Sequence, residues 1–266
     1  MKKYLTVFNL SFQNEFVYRL NFVLWRVRNV IRILMVYFLW HTVFSQNTNA
    51  FGFTREQMMT YVFLVLITST FIMAAPSNDN IGSEIANGDL SNFLVKPVGY
   101  LRYWLTRDWS SKLLNMFFVV FEIGFLWAWL RPNLYWPPSL FYFVMALAML
   151  IVAALIYFVL TKIAISTAFW FPENTWGTMF LVLVFMEVLS GVIFPLSVLS
   201  QTTFNLLQLT PFPYLVYFPV SIWLGNLDIQ TVWRVFGQSL IYLLVLLLVL
   251  QKVWTKGLKE YSAVGK

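Results

Sequence analysis

The sequence contains no cysteine and a single histidine, His41, and these shortages exclude several kinds of chemistry. A chain without cysteine forms no disulfide, offers no thiolate ligand to a metal and has no thiol nucleophile. One histidine cannot build a multi-histidine metal or haem site. We therefore predict no catalytic residue and no metal site on this chain, and we expect His41, which follows Trp40, to be an interfacial side chain.

Charged residues are also scarce, at 11% of the 266 residues, whereas hydrophobic residues make up 60% and aromatic residues 20%. This balance is too apolar for a surface that faces water, so the surrounding solvent must be lipid. No charged stretch is long enough to fold separately in water, which indicates a single membrane domain over residues 1–266. The net charge of +7 is spread beside apolar runs, which favours anionic lipid headgroups over nucleic acid as a partner.

Long apolar runs take up most of the chain. A helix that crosses a bilayer needs about 20 mostly apolar residues, because the hydrocarbon core is about 30 Å thick and each residue rises about 1.5 Å. Six runs meet this requirement and predict an all-α polytopic membrane protein with six transmembrane helices. The predicted spans are residues 27–44, 58–75, 113–130, 140–163, 176–199 and 235–252.

The positions of lysine and arginine predict the orientation of these spans, since cytoplasmic flanks carry the excess of positive charge. With six alternating spans and both termini in the cytoplasm, all Lys and Arg residues lie at or near the cytoplasmic side except Arg55, Arg131 and Arg234. A seventh span over residues 203–225 would contain three prolines and would move the C-terminal lysines outside. We therefore predict an external re-entrant hairpin before the sixth span.

The N-terminal residues show a different pattern, an apolar stripe at helical spacing with polar residues on the remaining positions. The stripe consists of Tyr4, Leu5, Phe8, Phe12 and Phe16. We predict an amphipathic N-terminal helix that lies on the inner surface of the membrane.

The sequence contains no GxxxxGK[ST] motif, so it lacks the backbone nest and the lysine that bind ATP phosphates. We expect no cofactor on this chain, and any ATP and Mg must be bound by a partner.

Glu122 and Glu187 fall inside predicted spans, where a carboxylate is costly, and they are the pathway candidates. The alternative is that each is protonated or hydrogen-bonded between helices. Arg28 and Arg32 share a helical face, and we expect them to reach lipid phosphates.

The longest polar segment, residues 76–112, contains a compact pattern between the second and third predicted spans. Ser77 or Asn80 is predicted to cap a short helix that Gly88 ends. Lys96 before Pro97 predicts an extended exit from this region. We expect residues 85–97 to form a compact, partly apolar protrusion that faces the cytoplasm, here called the knob.

Within this segment the residues Ile85, Gly88, Leu90, Leu94, Lys96 and Pro97 form the pattern I-x-x-G-x-L-x-x-x-L-x-K-P. The pattern, placed after two spans and before four more, resembles permease subunits of type-2 ABC transporters that have no fused ATPase. The resemblance implies an export subunit of the bacterial inner membrane that forms a dimer with a second copy or a paralogous permease. It further implies cytoplasmic ABC ATPase subunits as partners.

The resemblance also assigns roles to two cytoplasmic segments. It implies that residues 85–97 form the coupling helix for the ATPase, where we expect Ile85, Leu90 and Leu94 to be exposed contacts. Residues 169–174, between the fourth and fifth predicted spans, would form a second contact. The resemblance does not identify the substrate class, because an aromatic, weakly charged pathway lining suits lipids, hydrophobic drugs and organic cations alike.

Two other functional classes are alternatives. A membrane-embedded enzyme that modifies lipid would need an acid, base, nucleophile or metal cluster near an interface. Glu84, Asp89 and Asp108 are the acidic residues that such an enzyme might use, but they have no histidine or cysteine nearby in sequence. A passive channel or scaffold protein would have no need for a coupling segment.

Overall fold

The computed structural model describes residues 2–14, 19–46 and 49–261 of the chain. Within these ranges the backbone forms helices joined by short connections and one small hairpin, of strands β1 (Asn49–Ala50) and β2 (Phe53–Thr54). The α-helices are α1 (Lys2–Asn14), α2 (Arg19–Gln46), α3 (Arg55–Met73), α4 (Ser77–Ala86), α5 (Leu90–Leu94), α6 (Tyr100–Leu130), α7 (Leu140–Ile165), α8 (Thr175–Leu189), α9 (Gln201–Leu207), α10 (Tyr217–Trp223) and α11 (Ile229–Glu260).

Five of the described helices are long and apolar enough to cross a membrane. They are Arg26–Ser45 within α2, α3, α6, the stretch Leu140–Phe169 that contains α7, and α11. The predicted all-α chain with several membrane-spanning helices is therefore confirmed. Helix α6 begins at Tyr100 rather than at residue 113, because the helix continues through polar residues such as Arg102 and Arg107 that hydropathy alone assigns to a loop.

Helix α8 is shorter than the predicted fifth span. Its 15 residues end at Leu189, and they extend only about 22 Å at the usual helical rise. The chain then turns at Gly191, which has a φ of +91°. The predicted end of the fifth span at residue 199 is thus wrong. Hydropathy counts apolar residues and does not detect a turn that a single glycine makes within an apolar run. The count of six spans stays a prediction.

Residues 190–225 fold back between α8 and α11 and contain no continuous helix, as their prolines predict. The short helix α10 is buried along most of its length and packs against α7 and α3. Two hydrogen bonds hold the turn after α8 to the rest of the core. The N–H of Tyr217 donates to the oxygen of Ser190 at 2.9 Å, and the Tyr61 hydroxyl donates to the oxygen of Gly191 at 2.6 Å. The external position of this segment stays a prediction.

Helix α1 lies against α6, and the Ser110 hydroxyl donates a 3.0 Å hydrogen bond to the backbone oxygen of Phe8. Tyr4 and Phe8 are partly buried, whereas Leu5 and Phe12 are exposed. The helical part of the N-terminal prediction is confirmed over these residues. Phe16 lies outside the described residues, and the position of α1 on the membrane surface stays a prediction.

The protein core is centred on α3. In its apolar window 72% of the residues are buried, against 22% for α6 and 17% for α11. The outer helices instead expose large apolar side chains, among them Phe121, Trp129, Ile241 and Leu244. Apolar residues cover the outside because the surrounding solvent is lipid. In lipid, burial of an apolar side chain gives no hydrophobic stabilisation.

Candidate functional site

The coupling segment, residues 85–97, forms the end of α4, a tight turn and α5. Gly88 has a φ of +84°, so the predicted role of this glycine in ending a helix is confirmed. The predicted side-chain cap is wrong, because Pro76 occupies the N-cap position and no side chain caps the helix. Pro76 already has helical dihedral angles, and the amide of Asn80 donates back to its carbonyl oxygen at 2.7 Å. The chain therefore enters α4 directly from the end of α3.

Two of the three side chains predicted to be exposed contacts are buried. Leu90 is 0% exposed and Ile85 is 4% exposed, and both pack in one cluster with Trp104 from α6. Leu94 is 51% exposed and the adjacent Val95 is 84% exposed. The expectation for Ile85 and Leu90 was wrong because the two short helices need a hydrophobic core of their own. The exposed end of the knob consists of Leu94, Val95, Lys96 and Pro97.

A short polar contact connects this knob to the start of α6. The Tyr100 hydroxyl donates a hydrogen bond to the carboxylate of Glu84. Burial raises the pKa of the Glu84 carboxyl above its usual value, and the hydrogen bond from Tyr100 partly opposes that shift. Since Glu84 and Tyr100 flank the coupling segment on its two sides, the contact fixes the two ends of that segment against each other.

The second predicted contact segment lies beside the first. Residues 166–174 form two 3₁₀ turns after α7, Ser166–Phe169 and Pro172–Asn174. Phe169 and Pro172 line a groove of about 170 Å³ together with Ile85 and Gly88 of the coupling segment. Trp170 and Phe171 are exposed next to it. The structure thus brings the two segments together at one end of the helices.

The C-terminal end of α11 supports both segments. The Phe169 ring packs edge to face on Trp254 at 5.2 Å between centroids, and Trp254 stacks on Tyr100 at 5.5 Å. The Tyr261 hydroxyl accepts a 3.3 Å hydrogen bond from the N–H of Ser91. Gly257 permits this arrangement, because a Cβ at that position would lie 2.1 Å from the Phe169 ring.

We expect Gly257→Ala to destabilise the chain and Gly237→Ala, on the same helix, to stabilise it slightly. Overpacking of a filled site costs about 1–3 kcal/mol, whereas alanine in place of a helical glycine whose added Cβ has room gains up to about 1 kcal/mol. A Cβ at Gly237 meets no atom within 4 Å. Thermal unfolding of both variants in detergent measures the difference, and equal unfolding temperatures would contradict the close contact with Phe169.

Two lysines that the charge rule treats as flanking residues are buried among helix ends. The Lys112 ammonium donates to the carbonyl oxygens of Ile72 and Ala74, each at 2.8 Å. These carbonyls lie at the C-terminal end of α3, where backbone oxygens have no partner within the helix. The Lys162 ammonium donates to the side-chain oxygen of Asn78 on α4 at 2.8 Å. Lys112 and Lys162 therefore hold the connection between α3 and α4 against α6 and α7.

Glu122, the first pathway candidate, contacts a buried arginine. Its carboxylate lies 3.1 Å from the guanidinium of Arg26, which also donates to the backbone and side-chain oxygens of Asn115 at 2.7 and 2.8 Å. The two side chains of the ion pair are only 8% and 14% exposed. Glu122 thus fixes α6 to α2, which corresponds to the alternative of a contact between helices. Its role in a pathway stays untested.

Glu187, the second pathway candidate, forms an ion pair with Arg32 at 3.2 Å between α8 and α2. Arg32 also approaches the Ser69 hydroxyl on α3 at 3.5 Å. The side chains are 35% and 45% exposed, which makes this pair far more accessible than the one at Glu122. Arg32 thus has a carboxylate partner on α8 in this arrangement. The expectation that Arg28 and Arg32 reach lipid phosphates stays a prediction.

Arg32 lines two cavities. The arginine cavity, of about 280 Å³, lies between α2, α3, α7 and α8. Its polar lining residues include Arg28, Asn29, Arg32, Ser69, Thr70 and Asn78. No carboxylate is found among the described residues that line it, so its charged groups are two guanidinium ions. Trp176 and Phe180, stacked at 5.2 Å between centroids, line the side formed by α8.

The apolar cavity, of about 270 Å³, continues from Arg32 toward the other end of α2. Apart from the Arg32–Glu187 pair and the Tyr61 hydroxyl, its lining is hydrocarbon and indole, for example Val36, Trp40 and Ile193. Among the described residues, no group of three histidine, aspartate or glutamate side chains could hold a metal ion. The arrangement can therefore bind polar and apolar groups side by side.

A family model described as ABC-2 family transporter protein matches residues 30–265. The matched range begins within α2 and extends beyond the end of α11. It includes the whole coupling segment, the second contact segment and the apolar cavity, but not Arg28 and Asn29 of the arginine cavity. Among curated proteins, none matches the chain.

Proposed function

Because this chain belongs to the ABC-2 family of transporter proteins, we propose that it forms the substrate pathway of an ATP-driven exporter. The family places it among the membrane permeases of ABC transporters, whose subunits transport and are generally not enzymes. In the proposed assembly, a second copy or a paralogous permease completes a dimer, and separate cytoplasmic ATPase subunits bind ATP and Mg. Residues 1–266 act as one permease domain.

The observation that carries this proposal is the exposed apolar surface beside the coupling segment. Leu94 and Val95 of this segment, and Trp170 and Phe171 of the second contact segment, expose large apolar side chains at the same end of the helices. Exposed apolar groups next to polar loops are typical of surfaces that a partner protein covers. The proposal is tested by co-purification with an ATPase encoded beside the gene, followed by assays of ATP hydrolysis and export.

The hydrogen bonds of the buried lysines indicate how a movement caused by closure of the ATPase would be transmitted to the membrane helices. A force on the coupling segment acts on α4, and Asn78 of α4 is hydrogen-bonded to Lys162 of α7. The start of α4 is joined to the end of α3, which Lys112 of α6 holds. ATP would favour one helix arrangement only if the closed ATPase pair binds that arrangement more tightly. In the proposed cycle, α3 and α7 move with the knob.

We further propose a bacterial inner-membrane location with both termini in the cytoplasm, which the distribution of lysine and arginine supports. The coupling segment and the end of α11 would then face the cytoplasm together. Their contact through Ser91 and Tyr261 supports a shared side of the membrane for the two, and the lysine and arginine distribution is what favours the cytoplasm.

Single cysteines give a direct test of this orientation, because the chain has no cysteine of its own. In intact cells we expect a membrane-impermeant maleimide to label Asn226→Cys and not Val95→Cys, both of which replace exposed residues. Permeabilised cells should show labelling of both variants. Labelling of Val95→Cys in intact cells would reverse the orientation, and protection of Asn226→Cys would remove the proposed external hairpin.

A further inference from the structure

We infer that the arginine cavity and the apolar cavity together bind an anionic amphiphile, a molecule with a phosphate-like headgroup on a hydrocarbon tail. The inference rests on the proposed function, because it names the substrate class of the same permease. The sequence alone left lipids, apolar drugs and organic cations equally open. The geometry around Arg32 distinguishes among them.

The charge of the arginine cavity favours an anion. Arg28 and Arg32 line it, and no described carboxylate does. Guanidinium groups match the geometry of phosphate oxygens through paired hydrogen bonds. An organic cation would instead meet guanidinium groups and no carboxylate in the described lining of this cavity, which disfavours its binding.

Buried hydrogen-bonding groups line the same cavity. Asn29, Ser69 and Thr70 are each almost fully buried, and they come from two different helices. Among the described residues, the Thr70 hydroxyl oxygen is one of the few buried polar atoms without a hydrogen-bond partner. A buried hydroxyl without a partner is costly, and an anionic oxygen in the cavity would accept its hydrogen bond. The site therefore offers neutral donors as well as positive charge.

Glu187 provides a counter-ion that a ligand can replace. Its carboxylate lines the apolar cavity and holds Arg32 in a partly exposed ion pair. Exposed ion pairs contribute little net free energy, so exchange of one anion for another at Arg32 is not strongly opposed. An anionic headgroup in the arginine cavity would contact Arg32 from a cavity that Glu187 does not line. The guanidinium can thus pass from one anion to the other without being left unpaired.

The order of the two cavities matches the shape of an amphiphile. Along α2 the lining proceeds from Arg28 through Arg32 to Trp40, a distance of about 18 Å at the usual rise per residue. In the proposed orientation Arg28 lies at the cytoplasmic end. A lipid of the inner leaflet has its headgroup at that level and its tail toward the bilayer midplane. The site therefore accepts such a molecule in the orientation that it already has in the membrane.

The test is equilibrium binding of radiolabelled dodecyl phosphate to the full chain in phosphatidylcholine nanodiscs, with the signal of empty nanodiscs subtracted. We expect saturable binding that Arg28→Gln weakens roughly ten-fold, the value of one lost charge-assisted hydrogen bond. Arg102→Gln is the matched control, because it removes the same charge from an exposed position outside both cavities. Arg28 is itself exposed, so its replacement should leave the fold intact. Arg32→Lys keeps the charge but loses the paired donors of the guanidinium, so it should weaken binding as well.

Competition identifies the part of the molecule that is recognised. We expect unlabelled dodecyl phosphate to displace the probe, and glycerol 3-phosphate and dodecyltrimethylammonium to fail at the same concentration. Displacement by glycerol 3-phosphate would assign the cavity to a soluble phosphate ester, and displacement by the cation would refute anion selectivity. Equal binding by Arg28→Gln and the parent chain would also overturn the inference. Because no ATPase is present, these results are independent of the proposed coupling, which fails separately if no ATPase co-purifies.

Discussion

Leu94→Asp is expected to release the cytoplasmic ATPase from a chain that still inserts and folds. Leu94 is 51% exposed at the end of α5, so an aspartate there remains solvated in the free permease. Once covered by a partner, the carboxylate would be buried without a counter-charge, at a cost of roughly 3 kcal/mol or more. Co-purification in detergent should show loss of the complex, and ATP hydrolysis should no longer respond to the permease.

Leu90→Asp provides the contrast that makes this experiment specific. Leu90 is 0% exposed and packs with Trp104, so an aspartate there would damage the knob itself. We expect a lowered unfolding temperature for Leu90→Asp and an unchanged one for Leu94→Asp, although both variants lose the ATPase. A Leu94→Asp chain that keeps full ATPase binding and coupled export would refute the assignment of the coupling segment.

Glu122→Gln is expected to cost the membrane-inserted fold about 3 kcal/mol, the effect of leaving one member of a buried ion pair unpaired. Arg26 is 8% exposed on its side chain and cannot lose its charge, so the guanidinium would stay charged inside the helix bundle. Arg26→Gln should cost less, because the remaining carboxylate can take up a proton. Unfolding of the two single variants and the double variant measures their coupling.

The ion pair at Glu187 is the matched control for this cycle. Arg32 and Glu187 are separated by a similar distance, 3.2 Å, but their side chains are 35% and 45% exposed. Removal of either partner there should cost no more than about 1 kcal/mol. Equal losses at Glu122 and Glu187 would show that burial does not distinguish the pairs, and our interpretation of Glu122 as a contact between helices would be wrong.

Patterns that depend on neighbouring residues in sequence were predicted well. Length and apolar content identified the all-α membrane fold, and helical spacing identified α1. Gly88 was identified as a helix end because few other residues adopt a positive φ. The end of α8 was not, since the turn at Gly191 depends on a hydrogen bond from Tyr61 on another helix. Tertiary contacts of this kind leave no periodic signal.

The candidate site was predicted less completely, for the same reason. The sequence identified Glu122 and Glu187 as unusual, but their partners Arg26 and Arg32 lie on α2, far away along the chain. Apolar residues in a short loop could equally face a partner or the interior of the protein, and only the fold shows that Ile85 and Leu90 pack into one buried cluster. A buried Lys112 has the sequence signature of any flanking lysine.

The burial of α3 also constrains how the chain is made. A ribosome delivers α3 to the membrane before α6, α7 and α10, the helices that cover it, have been synthesised. Until they emerge, the hydroxyls of Thr68, Ser69 and Thr70 have no protein surface to face on most of their sides. Release of α2 and α3 into lipid as a finished hairpin would leave these polar groups in hydrocarbon. Burial of these hydroxyls against other helices is therefore completed only after the second half of the polypeptide has been inserted.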